Sequence, residues 1–147
     1  MKSYSGTKIR EIIRSELKNV NLQIPDMTYA MVKPDWLVNT MYPNMFRRWL
    51  RENGLELWLS YWDCDNFSIL FFIFVQICNA KTMSARLDGD TVQGTAVGIM
   101  FFDQTDVGGH AINFIVTKNG LLFFEPQNGK IISLTQKEKD SSWFALC

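Results

Sequence analysis

The spacing of hydrophobic positions changes several times along the chain. Ile9, Ile12, Ile13 and Leu17 recur at helical intervals, with Lys8, Arg10, Glu11, Arg14 and Glu16 between them. This predicts an amphipathic helix over residues 7–18, with Ser5 or Thr7 supplying the N-cap oxygen. Residues 19–34 show no clear period and are punctuated by Pro25 and Pro34, and a short helix is expected to begin at Pro34-Asp35-Trp36. A further helix is expected from Pro43 to Asn53, with Pro43 in its first turn, Gly54 as its stop and Met45, Phe46, Trp49 and Leu50 on its apolar face. Residues 55–62 alternate as an extended segment does. The run from Phe67 to Cys78 is apolar except for Ser68 and Gln76. A membrane span needs roughly 20 such residues, so this run is too short. With Asp63 as N-cap and Asn79 as stop, it predicts a helix over about 64–79, buried on nearly all sides.

The second half is of β type. Short runs of strand character cover 94–102, 111–117, 121–125, 130–134 and 143–146. Asn119-Gly120 and Asn128-Gly129 separate three of them, and Asn-Gly is a strong hairpin signal. Helices first and an antiparallel meander over about 94–146 second make an α+β fold. At 147 residues, with no repeat or linker, the chain reads as a single domain, 1–147.

Charge and cysteine usage narrow the function. Fifteen Lys+Arg balance fifteen Asp+Glu, which removes the positive footprint of a nucleic-acid binder. Arg47, Arg48 and Arg51 form a basic cluster at helical spacing that reads as a solvated face. The three cysteines cannot all pair, and the N-terminal residues have no secretory pattern, so a reducing, cytoplasmic setting without a membrane anchor is expected. With one histidine and no CxxC pair, a structural zinc site is not expected. The acidic turns at 88–90 and 103–106 lack the ligand spacing of an EF-hand and read as structural.

Two residues stand out chemically. Cys64 falls in the first turn of the expected central helix, where free N–H groups and the helix dipole favour a thiolate. Cys78 lies within the apolar run and reads as packing, and Cys147 as incidental. His110 follows Gly108-Gly109 and opens a strand, so it can meet a helix start packed on that sheet. A thiol and an imidazole so placed form a nucleophile–base pair, completed by a group that orients the ring. If Asn119-Gly120 are the two central turn residues, His110 lies opposite Gly129 and Gln127 is its diagonal neighbour. Glu125 is then one step too far, although Pro126 interrupts the ladder there and a shifted register would bring it closer. The spacing leaves both open.

The segments Tyr61-Trp-Asp-Cys64-Asp-Asn-Phe-Ser68, Gly109-His-Ala-Ile-Asn113 and Glu125-Pro-Gln127 resemble a small papain-like group. That group includes the C-terminal protease-like domain of a mushroom galactose-binding agglutinin and short phage and prophage proteins. The resemblance spans roughly residues 58–130. It implies a papain-like fold, a cysteine peptidase, isopeptidase or amidase acting on a peptide or protein substrate, and a triad of Cys64, His110 and Glu125. It also implies a divalent cation such as calcium, which Asp65 and Gln127 would hold. The competing expectation is a papain-like module without catalysis, phage- or prophage-encoded and acting on a host partner, with Trp36, Trp49, Trp58 and Trp62 as its candidate contact patch.

Overall fold

In the computed structural model the described residues are 2–84 and 93–147; the acidic turn at 88–90 lies outside them. Of the two expected caps Ser5 takes the role, accepting from the Lys8 N–H at 3.2 Å, and α1 runs Gly6–Glu16. Its Ile9 and Ile13, with Leu17 just beyond, are fully buried. Three-residue strands precede and follow it: β1 (Ser3–Ser5), β2 (Asn21–Gln23) and β3 (Thr28–Ala30). Strands this short carry no readable alternation, which is why the pattern over 19–34 hides them.

The two helices expected over 34–53 are one continuous helical run. α2 (Pro34–Trp36) passes into a π-helical segment (Leu37–Phe46) and then α3 (Arg47–Glu52). Pro43 lies inside the run rather than at a first turn. A proline has no N–H to give and its ring clashes with the carbonyl four residues back in an α-helix; wider turns ease the clash. The Arg47 N–H accordingly reaches five residues back, to the Tyr42 carbonyl.

Residues 55–62 are not extended. Leu59 and Trp62 exchange two backbone hydrogen bonds of 2.9 Å, and the Trp62 indole donates to the Leu55 carbonyl at 3.1 Å, so the segment folds back on itself. It leads into α4 (Cys64–Ser84). The Asp63 carbonyl accepts from the Phe67 N–H, and the Asn66 side chain reaches back to the Asp63 N–H at 3.2 Å, fixing the helix start at Cys64. Contrary to expectation, α4 is not buried all round. Phe67, Phe71 and Val75 face the core, while Ile69, Ile73 and Ile77 form an exposed stripe. A helix resting on one sheet has an opposite side, and apolar composition alone does not say which side is covered.

The remaining elements are β4 (Gly94–Thr95), β5 (Val97–Gln104), β6 (Gly108–Thr117), β7 (Gly120–Glu125), β8 (Lys130–Ile132), α5 (Gln136–Asp140) and β9 (Phe144–Leu146). β1, β3 and β4 form a small sheet. The main sheet has the order β2-β9-β5-β6-β7-β8, antiparallel except where β2 meets β9. The fold is α+β, as the pattern predicts.

Alternation along β5–β7 gives this sheet two apolar faces. Phe102, Ile112, Phe114 and Phe123 pack with α1. Val97, Ile115 and Phe124 pack with Phe46, Phe67 and Phe71 from the helical run and α4. Cys147 is not incidental: it is 2% exposed, its N–H donates to the Gln23 carbonyl, and its own carbonyl accepts from the Tyr29 hydroxyl at 2.9 Å. Burial drives its thiol far above the usual range. Among the described residues, no helix is long and apolar enough to cross a membrane.

Candidate functional site

The site forms where the start of α4 meets the first residues of β6. Cys64 is the first residue of α4, and His110 is the third residue of β6, the strand beginning two residues earlier than expected. Two contacts hold helix and strand in this relation. The Ser68 hydroxyl donates to the Ala111 carbonyl at 2.9 Å, and the Asn113 amide donates to the Ser68 carbonyl at 3.0 Å and the Gly98 carbonyl at 3.1 Å. Both side chains are fully buried. Asn113 belongs to the motif read from the sequence, but its role as a clamp beneath the helix needs the tertiary structure. Replacing Asn113 with alanine strips donors from two buried carbonyls and is expected to cost about 1–3 kcal/mol. Urea unfolding of the variant checks this.

The structure brings His110, Glu125 and Cys64 together. The imidazole Nε2 lies 2.8 Å from Glu125 Oε2, both side chains are nearly buried, and the Cys64 thiol is near enough to act on the ring's protonation. Phe102, paired with His110 across the ladder, sets its ring edge-on at a centroid distance of 5.7 Å. Burial pulls the imidazole pKa down. The hydrogen bonds to Cys64 and Glu125, with their negative charge, outweigh it and push the pKa from 6.5 up to about 9.

Glu125, not Gln127, is the ring's partner, and the reason is register. Asn119-Gly120 are not the two central turn residues; Thr117 pairs with Gly120, around Lys118-Asn119. Neither central residue has positive φ, whereas Gly120 does at 124°. The connection is therefore a type I-like turn followed by a glycine, a known alternative for Asn-Gly hairpins. The Thr117 hydroxyl supports it, accepting from the Asn119 N–H and donating to the Gly120 carbonyl. The pairing slides by two residues, which keeps every side chain on its expected face and moves Glu125 to the position diagonal to His110.

Gln127 serves through its backbone. Its N–H donates to Glu125 Oε1 at 3.1 Å and its carbonyl accepts from Arg47 at 3.3 Å. The Tyr42 hydroxyl donates to the Pro126 carbonyl at 2.8 Å, and its ring lies so close to Gly129 that a Cβ there would sit 2.1 Å from it. The loop carrying Glu125 is thus tied to the helical run. Arg47 also pairs with Glu56 at 2.9 Å, so one member of the basic cluster is a tether, while Arg48 is a solvated face residue as expected.

Asp63, Cys64 and Asp65 place their ligand atoms within 4.8 Å of one another. Asp63 is held above the usual carboxylate range by its hydrogen bond to the Asp65 carboxyl, with burial and the Asp65 charge adding to it. Two carboxyls and a thiol do not complete the shell of calcium, which takes roughly six to eight oxygens. The segment immediately before them in the chain exposes Leu57 (74%), Trp58 (60%) and Tyr61 (78%). Of the other tryptophans read as a contact patch, Trp36 is exposed, whereas Trp49 and Trp62 pack against the core.

The family model for the agglutinin C-terminal domain matches residues 47–131, more than half of the chain. The chain belongs to the agglutinin C-terminal family. The matched segment contains the loop, Cys64, His110, Glu125 and Gln127. No curated protein matches the chain significantly. Among solved structures, a "PSL1a-E64 complex" is similar with a TM-score of 0.73 and 21% identity, covering 99% of this chain and 51% of that one. Polyporus squamosus lectin, bound to the human-type influenza-binding epitope Neu5Aca2-6Galb1-4GlcNAc, is similar with a TM-score of 0.70 and 21% identity over 99% of this chain and 49% of the lectin. The chain spans about half the length of these structures.

The match to the agglutinin C-terminal family and the likeness to a lectin structure overturn the expectation of a cysteine hydrolase with a catalytic triad. The peptide-substrate reading goes with it. Proximity of a thiol, an imidazole and a carboxylate is necessary for that chemistry but not sufficient, because a fold can carry such a constellation into other uses.

Proposed function

We propose that this chain is a non-enzymatic binding module whose ligand lies across the loop before Cys64 and the polar floor formed by His110 and Glu125. The observation that supports it most is the exposure of Leu57, Trp58 and Tyr61 within five residues of one another. Large apolar side chains so concentrated on a surface mark a contact site. The carboxyls of Asp63 and Asp65 follow within four residues of Tyr61 in the chain. Ring faces next to carboxylates suit a saccharide: its C–H face covers an aromatic ring and its hydroxyls donate to the carboxylates. The glycan held by the lectin makes an oligosaccharide the ligand class to test. In this reading the scaffold is papain-like, His110 and Glu125 form a preorganised floor, and Cys64 neither reacts nor touches the ligand.

The acidic pair favours neutral sugars over a sialic acid carboxylate. Tryptophan fluorescence or calorimetry with the uncharged galactosyl-N-acetylglucosamine unit and with the full sialylated trisaccharide tests this. The neutral unit should bind at least as tightly. Replacing Trp58 and Tyr61 together by alanine should weaken binding about tenfold or more, while Cys64→Ala should leave it intact. Absence of saccharide binding, or an amide-cleaving activity that disappears in Cys64→Ala, would overturn the proposal.

A further inference from the structure

We propose that a cavity apart from the Cys64–His110–Glu125 site binds a free amphipathic anion, a carboxylate on an apolar chain of fatty-acid type. The cavity has a volume of about 530 Å³ and lies between β3, β4 and the C-terminal half of α4. That volume falls within the range of small-molecule sites, roughly 300–1,000 Å³. Its walls are apolar, formed by Met31, Val32, Trp36, Val75 and Cys78. Cys78 behaves as a neutral wall, since burial raises its pKa.

Among the described lining residues the charge has one sign. Lys2 and Lys33 line the cavity, with no aspartate or glutamate among the described lining residues. Neither lysine forms an ion pair with any described residue; Lys2 only rests over the Tyr4 ring at 5.4 Å. Elsewhere Lys8 and Lys139 both have carboxylate partners. The same two lysines also border an adjoining hollow of about 460 Å³ that contains Lys118. An apolar chamber with unpaired cations among its lining residues matches a ligand with an apolar body and one anionic end.

This site does not depend on the saccharide reading. Cys78 is fourteen residues beyond Cys64 on the same helix, about 21 Å along its axis.

Dodecanoate is the probe, titrated by calorimetry into the full chain below its micelle concentration. Saturable one-to-one binding is expected, with dodecyltrimethylammonium, which has the same tail and the opposite charge, failing to bind. Lys2→Gln with Lys33→Gln should weaken dodecanoate about tenfold or more without altering thermal unfolding, since both side chains lie at the surface. Dodecanoate should also slow alkylation of Cys78, read by mass spectrometry, and leave that of Cys64 unchanged. The Trp58/Tyr61 double variant should bind dodecanoate normally, which separates failure here from failure of the saccharide site. No saturable binding, equal affinity for the cationic probe, or an undiminished affinity in the lysine double variant would overturn the proposal.

Discussion

In Glu125→Gln, His110 is expected to titrate well below its native value of about 9, moving back toward 6.5. The substitution keeps the shape of the side chain and removes its charge. Burial then acts with only the thiol left to oppose it. The chain has one histidine, so its imidazole NMR signals report this group without ambiguity, although the titration belongs to the coupled Cys64–His110–Glu125 set. A consequence for stability follows. The folded ring holds its proton to about 9 and the unfolded ring only to about 6.5. Proton binding therefore favours the folded state fully below about pH 6.5, and this contribution fades as pH rises through 9. A shift of this size corresponds to about 3 kcal/mol. The urea midpoint of the native chain should fall between about pH 6 and pH 9.5, and that of Glu125→Gln should fall much less. An unchanged His110 titration in the variant would show that Glu125 does not hold the ring.

Phe71→Ala should be the most destabilising of the substitutions considered, at about 3–5 kcal/mol. The Phe71 ring is fully buried, with centroids 4.8 Å from Phe124, 5.1 Å from Phe46 and 6.2 Å from Tyr42. It thus joins α4 to the sheet and to the π-helical segment at once. Truncation removes its apolar area and leaves a cavity that three neighbouring rings, anchored in β7 and the π-helical segment, cannot collapse to fill. Against a typical total stability of about 5–15 kcal/mol, that is a large loss. Ile73→Ala, two residues along the helix on the exposed stripe, should cost less than about 1 kcal/mol. Comparing the two by urea unfolding distinguishes the covered side of α4 from the open one; equal losses would mean that the stripe is packed in solution.

The same contrast shows what composition conveys about a helix. The apolar run from Phe67 to Cys78 identifies α4 and its start, because Asp63, Cys64 and Asn66 act within a single turn. It does not reveal that Ile69, Ile73 and Ile77 look outward. Similarly, the motifs around Cys64, His110 and Glu125 single out three residues, but such motifs do not by themselves say what the residues are for.

What the sequence determined by itself are the features set by nearby residues. Among them are the Ser5-capped α1, the start of α4 at Cys64, the β5–β8 meander and the α+β class. What only the tertiary structure decided depends on distant partners. Pro43 sits inside a helical run because wider turns accept it, and Cys147 is sealed by β2 and Tyr29. Glu125 reaches His110 because Gly120 follows the β6–β7 turn instead of forming its centre. The physical reason is one of range. Caps, turns and periods are written in a few adjacent side chains, whereas register and burial are settled by which surfaces, far apart along the chain, exclude water together.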